Sequence, residues 1–156
     1  MEIISKSVKD TINIGKAIAK NLKLGDIICL FGELGSGKTV LTKGIALGLG
    51  IERKRLISPS FVLIREHSQG KLPLYHLDLY RLKEARDILV LGYEEYLYGE
   101  GVTVIEWADR LKYLIPAEFL KIELFIKENS KRKIKFTAFG RSYKKLLERI
   151  HENIRH

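Results

Sequence analysis

The eight residues Gly32–Thr39 read Gly-Glu-Leu-Gly-Ser-Gly-Lys-Thr and fit the pattern G-x-x-x-x-G-K-[ST]. No other feature of the chain restricts its fold as much. The apolar run Ile27–Phe31 enters this loop directly, and helical spacing leaves it from Lys38 to about Leu49, where Gly50 stops the pattern. Strand, loop and helix in that register build a phosphate cradle. Gly32, Gly35 and Gly37 permit backbone angles that side chains would forbid. Backbone N–H groups can then turn inward, and the helix start adds partial positive charge. Lys38 is placed to reach β- and γ-phosphates, and Thr39 to offer its hydroxyl to Mg²⁺. The expected nucleotide-contacting set is therefore Glu33, Leu34, Gly35, Ser36, Gly37, Lys38 and Thr39, with Val40 next along the helix.

The rest of the chain alternates in a way that suits such a loop. Ser7-Val8-Lys9-Asp10 resembles a helix N-cap with an acid three positions on, and Val8, Ile12, Gly15, Ala19 and Leu22 follow at helical spacing. Phe61–Glu66 and Leu74–Tyr80 read as strands joined by a turn around Gln69-Gly70. Glu84–Tyr98 reads as helical with a break near Gly92, and Val102–Ile105 as a short buried strand. Leu120–Ile126 and Lys133–Phe139 form a terminal hairpin, and Tyr143, Leu146, Leu147, Ile150 and Ile154 make one stripe of a closing helix. Strands that interleave with helices early and pair locally late predict an α/β fold. The expected sheet is mixed and mainly parallel, with helices on both faces and antiparallel C-terminal strands. The length of 156 residues suggests one domain, 1–156.

ATP hydrolysis or phosphoryl transfer at such a loop needs a second carboxylate near the metal. Glu106 ends the strand Val102–Ile105, at the carboxyl edge where such an acid sits. Asp78 lies in Leu74–Tyr80, on the same strand face as His76. Either acid can bind Mg²⁺ through oxygen or orient the attacking water. The plainer alternative for each is a surface acid or a structural ion pair with Arg81 or Arg110. Ser60, within Ser58-Pro59-Ser60-Phe61, is placed to sense Mg²⁺ or the γ-phosphate, or simply to turn the chain into the next strand. His76 has no second histidine at metal-ligand spacing, so it reads as a hydrogen-bonded sheet residue. Trp107 follows Glu106 and is expected to point to the opposite face, into the core or towards a partner.

Composition narrows the setting. The single cysteine, Cys29, excludes an internal disulfide, and its apolar surroundings read as an inert core thiol. No apolar run approaches the roughly 20 residues of a membrane span, and Met1–Asp10 has no signal-type core. A reducing cytoplasm is the expected location. The net charge of +9 is concentrated late: residues 121–156 hold 11 basic and 4 acidic side chains, against 17 and 15 before them. This C-terminal excess is either a surface for RNA or an acidic partner, or a solvated basic face.

Taken in order, these segments resemble the TsaE (YjeE) family of small bacterial ATPases. The resemblance is carried by Asp10-Thr11, the loop Gly32–Thr39, Ser58–Phe61, His76–Leu82 and Ile105–Trp107, and spans roughly Ser5 to Phe139. Two departures are visible: Ser60 stands where threonine is commoner, and Ala108-Asp109 follows Trp107 where Pro-Glu is usual. The resemblance implies a P-loop NTPase-type fold. It also implies Mg²⁺-dependent ATP hydrolysis that supports threonylcarbamoyladenosine modification of tRNA, with TsaD and TsaB homologues as partners and tRNA engaged indirectly. The basic C-terminal region is the candidate surface for that engagement. In this chain, Lys38 would grip the phosphates, Thr39 and Glu106 would bind Mg²⁺, and Asp78 would assist. Thr11 would lie near the base or sugar. Arg132, flanked by Lys131 and Lys133, would approach the nucleotide.

Two other classes share parts of this pattern. A small-molecule or nucleoside kinase needs an acceptor pocket and an arginine-bearing lid, and no long insertion here supplies one. A basic nucleic-acid-binding module would use the tail, but no RNA-reading aromatic signature accompanies it.

Overall fold

The computed structural model describes residues 1–56 and 63–155. Its strands are β1 (Glu2–Ser5), β2 (Ile27–Phe31), β3 (Ile64–His67), β4 (Leu74–Asp78), β5 (Val102–Glu106), β6 (Phe119–Ile126) and β7 (Arg132–Phe139). Its α-helices are α1 (Val8–Ala19), α2 (Lys38–Gly48), α3 (Ala85–Val90), α4 (Tyr93–Leu97) and α5 (Arg141–Arg155). Short 3₁₀ segments lie at Arg53–Arg55 and Ala108–Leu114. The expected segment Ser58–Phe61, Ser60 included, lies outside the described residues, as does the start of the strand expected at Phe61–Glu66.

The strands form one seven-stranded sheet in the order β1-β7-β6-β2-β5-β4-β3. The central run β6-β2-β5-β4 is parallel, while β3 and the β7-β1 pair add antiparallel edges. This is the expected mixed α/β sheet, with an antiparallel C-terminal pair. The central strand β2 reads as an unbroken apolar run because both its faces are covered. Ile28 and Leu30 meet the layer of α1, α2 and α5, and Ile27 and Cys29 meet the layer of α3, α4 and the Ala108–Leu114 segment. Cys29 is fully buried, and that burial pushes its thiol pKa up, so the thiol stays protonated.

Local chemistry sets the element ends. The Ser7 side chain accepts the Asp10 N–H at 3.0 Å, and the Asp10 carboxylate accepts the Lys6 N–H at 2.9 Å, so α1 begins where the sequence predicts. Gly92, at φ 68°, separates α3 from α4 at the expected break. Helices α1 and α2 pack with almost no separation. A Cβ on Gly15 would stand 2.6 Å from the Leu41 carbonyl oxygen and 2.7 Å from the Cα of Gly44. That close crossing fixes α2, and with it the start of the helix behind the glycine loop.

Strand β1 does not appear in the sequence reading. Its four residues pair with β7 across more than a hundred positions, as in Glu2 opposite Lys135. Such an edge strand exists only once its neighbour is in place.

Candidate functional site

The loop leaves β2 at Phe31 and enters α2 at Lys38, at the carboxyl edge of the parallel strands. Gly37 takes φ 106° immediately before the helix, a conformation that strains any side chain. A Cβ on Gly32 would stand 2.7 Å from the Leu124 carbonyl oxygen, so that position has no room for one. Among the described residues, no side chain caps Gly37. The first-turn N–H groups of α2, with their partial positive charge, are thus open to an anion.

Lys38 is buried at the floor of the loop. Its Nζ donates to the carbonyl oxygens of Gly32 (2.6 Å) and Glu33 (2.9 Å), and approaches Ser36 Oγ at 3.4 Å. The Trp107 ring covers it, with the ring centre 3.9 Å from Nζ. Burial pulls the Lys38 pKa below the ordinary lysine value; the nearby carboxylates of Glu106, Asp109, Asp78 and Glu33 act against that shift.

Glu106, at the end of β5, is almost wholly buried, and both of its carboxylate oxygens have hydrogen-bond partners. Thr39 Oγ1 donates to Oε2 at 2.9 Å. At the other oxygen, Oε1, His76 Nε2 lies at 2.8 Å and Thr42 Oγ1 at 3.0 Å. The Thr42 hydroxyl is also 2.9 Å from the Lys38 carbonyl oxygen, and its one hydrogen serves only one of the two. Burial by itself would raise the Glu106 pKa. The hydrogen bond and charge of His76, with the Thr39 and Thr42 hydroxyls, outweigh it and hold the group below the ordinary glutamate value.

Asp78 is the register partner of Glu106 across β4 and β5. It accepts the Tyr80 N–H at 3.0 Å. Burial raises its pKa, the Tyr80 N–H opposes that, and the Glu106 charge adds to it. Asp78, Glu106 and Thr39 therefore present three oxygen donors at one end of the sheet.

These side chains border a cavity of about 410 Å³, lined also by Leu34, Gly35, Gly37, Lys38, Val40, Leu63, Tyr80, Arg81 and Trp107. Eight of the sequence-predicted residues thus meet around one space: Leu34, Gly35, Gly37, Lys38, Thr39, Val40, Asp78 and Glu106. Arg132 meets the loop from behind. Its Nε donates to the Ser36 carbonyl oxygen at 3.2 Å and its Nη2 to that of Gly35 at 3.1 Å. Lys133 turns instead towards Glu2, at 3.8 Å. Thr11 is buried, with its hydroxyl 2.7 Å from that of Ser5, the strand partner of Arg132. Thr11, Glu33, Ser36 and Arg132 do not line the cavity.

Two features differ from the sequence reading. Trp107 packs against the core cluster of the opposite face, as expected, but its left-handed backbone, φ 56°, breaks the strand alternation and also brings the indole over Lys38. Tyr80 packs beside it, with ring centres 4.9 Å apart. Thr42 was not anticipated, although its spacing of three from Thr39 places both hydroxyls on one face of α2. His76 is hydrogen-bonded within the sheet as expected, and its partner is Glu106. Among the described residues, no helix is long and apolar enough to cross a membrane.

Residues 5–134 match the family model described as Threonylcarbamoyl adenosine biosynthesis protein TsaE. The chain is 43% identical over 148 residues to the Bacillus subtilis tRNA threonylcarbamoyladenosine biosynthesis protein TsaE, covering 94% of this chain and 92% of that one. It is 39% identical over 134 residues to the Treponema pallidum protein of the same name, covering 86% and 98%. The crystal structure of Bacillus subtilis YdiB superposes with a TM-score of 0.86 at 38% identity, over 99% of this chain and 95% of that one.

Proposed function

The chain belongs to the TsaE family, whose members act in tRNA threonylcarbamoyladenosine biosynthesis, and on that premise we propose that it is a Mg²⁺-dependent ATPase serving that modification in the cytoplasm. The observation that carries the reading is the hydrogen bond from Thr39 to Glu106. It joins the residue after the loop lysine to the acid at the end of a neighbouring strand, so a hydroxyl and a carboxylate share one cation position. The donors are all oxygens, which suits Mg²⁺ held jointly with phosphate.

Lys38 holds the β- and γ-phosphates, and the open N–H groups at the start of α2 receive their oxygens. Thr39 and Glu106 hold the metal, with Asp78 as a further oxygen ligand or the group that orients water. Bound Mg²⁺ supplies neutralisation of charge on the phosphate oxygens. Leu34, Gly35, Gly37 and Val40 wall the nucleotide, and Glu33 and Ser36 shape the loop. Arg132 and Thr11 support the nucleotide from the β7 side; Ser60, outside the described residues, keeps its assignment to the metal or γ-phosphate from the sequence alone.

Homologues of TsaD and TsaB are the partners, and hydrolysis drives repeated rounds of their reaction, with tRNA met indirectly. ATP turnover by the purified chain should be slow alone and rise when TsaD and TsaB are added. The reading fails if those partners neither bind the chain nor change its turnover. Transfer of phosphate to a small acceptor instead of water would replace it with a kinase.

A further inference from the structure

We propose that His76 is the positioning residue for Glu106, holding its carboxylate in the orientation that binds the metal. The inference rests on the Mg²⁺–ATP reading of the site and assigns a role that the loop motif does not contain.

His76 lies on β4 two residues before Asp78, opposite Val104 of the parallel strand β5, so it reaches Glu106 diagonally along one face. Both side chains are nearly inaccessible to water, at 8% and 2% exposure. A carboxylate only accepts hydrogen bonds, so the ring nitrogen 2.8 Å from Oε1 carries the hydrogen. The donors then divide the carboxylate: Thr39 takes Oε2, and His76 with Thr42 takes Oε1. The Thr42 hydroxyl has a second acceptor in the Lys38 carbonyl, 2.9 Å away. His76 is therefore the donor that fixes Oε1 whichever way Thr42 turns. With Oε1 anchored, Oε2 faces Thr39, the other residue assigned to the metal. Partners of this kind set the orientation of a ligating group, and their loss typically weakens metal binding about 10–100-fold.

The test uses the full chain and a non-hydrolysable ATP analogue, with Mg²⁺ titrated calorimetrically into the preformed complex. His76→Leu removes the donor, whereas His76→Gln keeps an N–H near the position of Nε2. The expected result is a Mg²⁺ midpoint raised about tenfold or more in His76→Leu. The same variant should bind the metal-free analogue as the unaltered chain does. His76→Gln should restore most of the metal affinity. His76→Asn, shorter but polar, repeats the comparison if the leucine variant does not fold. An unchanged Mg²⁺ midpoint in His76→Leu or His76→Asn overturns the proposal. So does an equal loss of metal and metal-free binding, which marks a structural role only. If the unaltered chain binds the analogue with no dependence on Mg²⁺, the reading of the site itself fails, and this inference with it.

Discussion

The ammonium of Lys38 stands 3.9 Å from the centre of the Trp107 indole ring, so the residue after the strand-end acid covers the loop lysine. A cation over an indole face is held by the ring's quadrupole, an interaction worth about 0.5–2 kcal/mol depending on solvation. The left-handed backbone that turns Trp107 inward is costly for a bulky residue. The tilted ring contact with Tyr80 and the Lys38 contact offset that cost.

Trp107 is the single tryptophan of the chain, so its emission reports on one site, where Lys38, Arg110 and Tyr80 surround the ring. Adding Mg²⁺ and a non-hydrolysable ATP analogue is expected to change that emission, because phosphates compete for the same ammonium. Lys38→Ala should abolish the response over the same concentration range. A spectrum that stays constant while calorimetry records binding would remove Lys38 from the phosphate site.

Glu106→Gln keeps the size and an acceptor for the Thr39 hydroxyl but removes the charge. ATP hydrolysis is expected to fall by about 10²-fold or more, the scale of losing one preorganised electrostatic group. Binding of the metal-free analogue should persist. Steady-state turnover and an equilibrium binding assay, run side by side, separate the two effects.

Asp78→Asn should make the unliganded chain more stable while slowing hydrolysis. Burial raises the Asp78 pKa above its ordinary 3.8, so the folded chain favours the protonated acid. That stabilising contribution is complete below 3.8 and is lost as pH rises through the raised folded value. At neutral pH the charge therefore costs stability, and the neutral amide avoids the cost. The expected readout is a melting temperature a few degrees higher at pH 7, with the gain shrinking towards pH 4. A lower melting temperature at pH 7 would show that Asp78 serves structure more than chemistry.

Arg132→Ala is expected to weaken nucleotide binding several-fold, because its guanidinium ties down the carbonyls of Gly35 and Ser36. Lys133→Ala, which removes a contact to Glu2, should leave binding unchanged. Nucleotide titrations of the two variants decide the order. Equal effects would mean that diffuse positive charge, and not the loop contact, is what matters.

Gly15→Ala tests the support behind the loop. The added methyl would press on the Leu41 carbonyl and on Gly44, forcing α1 and α2 apart. Overpacking of this kind costs about 1–3 kcal/mol. A melting temperature lowered by several degrees, measured by circular dichroism, is the expected outcome.

Much of the fold was legible because its signals are local. The N-cap at Ser7, the break at Gly92 and the stop at Gly50 each depend on residues within one turn. The antiparallel pairing of β6 with β7 followed from two apolar segments joined by a short link. The cavity-lining loop residues and the two acids were legible for a related reason: strand ends and helix starts can be placed from periodicity alone. Strand β1 was not legible, since its hydrogen bonds come from β7 at the far end of the chain.

The sequence by itself determined the glycine loop, the strand and helix that flank it, and the acids at the ends of β4 and β5. These depend on backbone sterics and on short-range spacing. Only the tertiary structure decided the company those groups keep. His76 and Thr39 meet Glu106 across separations of 30 and 67 residues, which strand register and helix docking set. The inward turn of Trp107 depends on a left-handed backbone that its residue type does not favour, and which Tyr80 and Lys38 together hold in place.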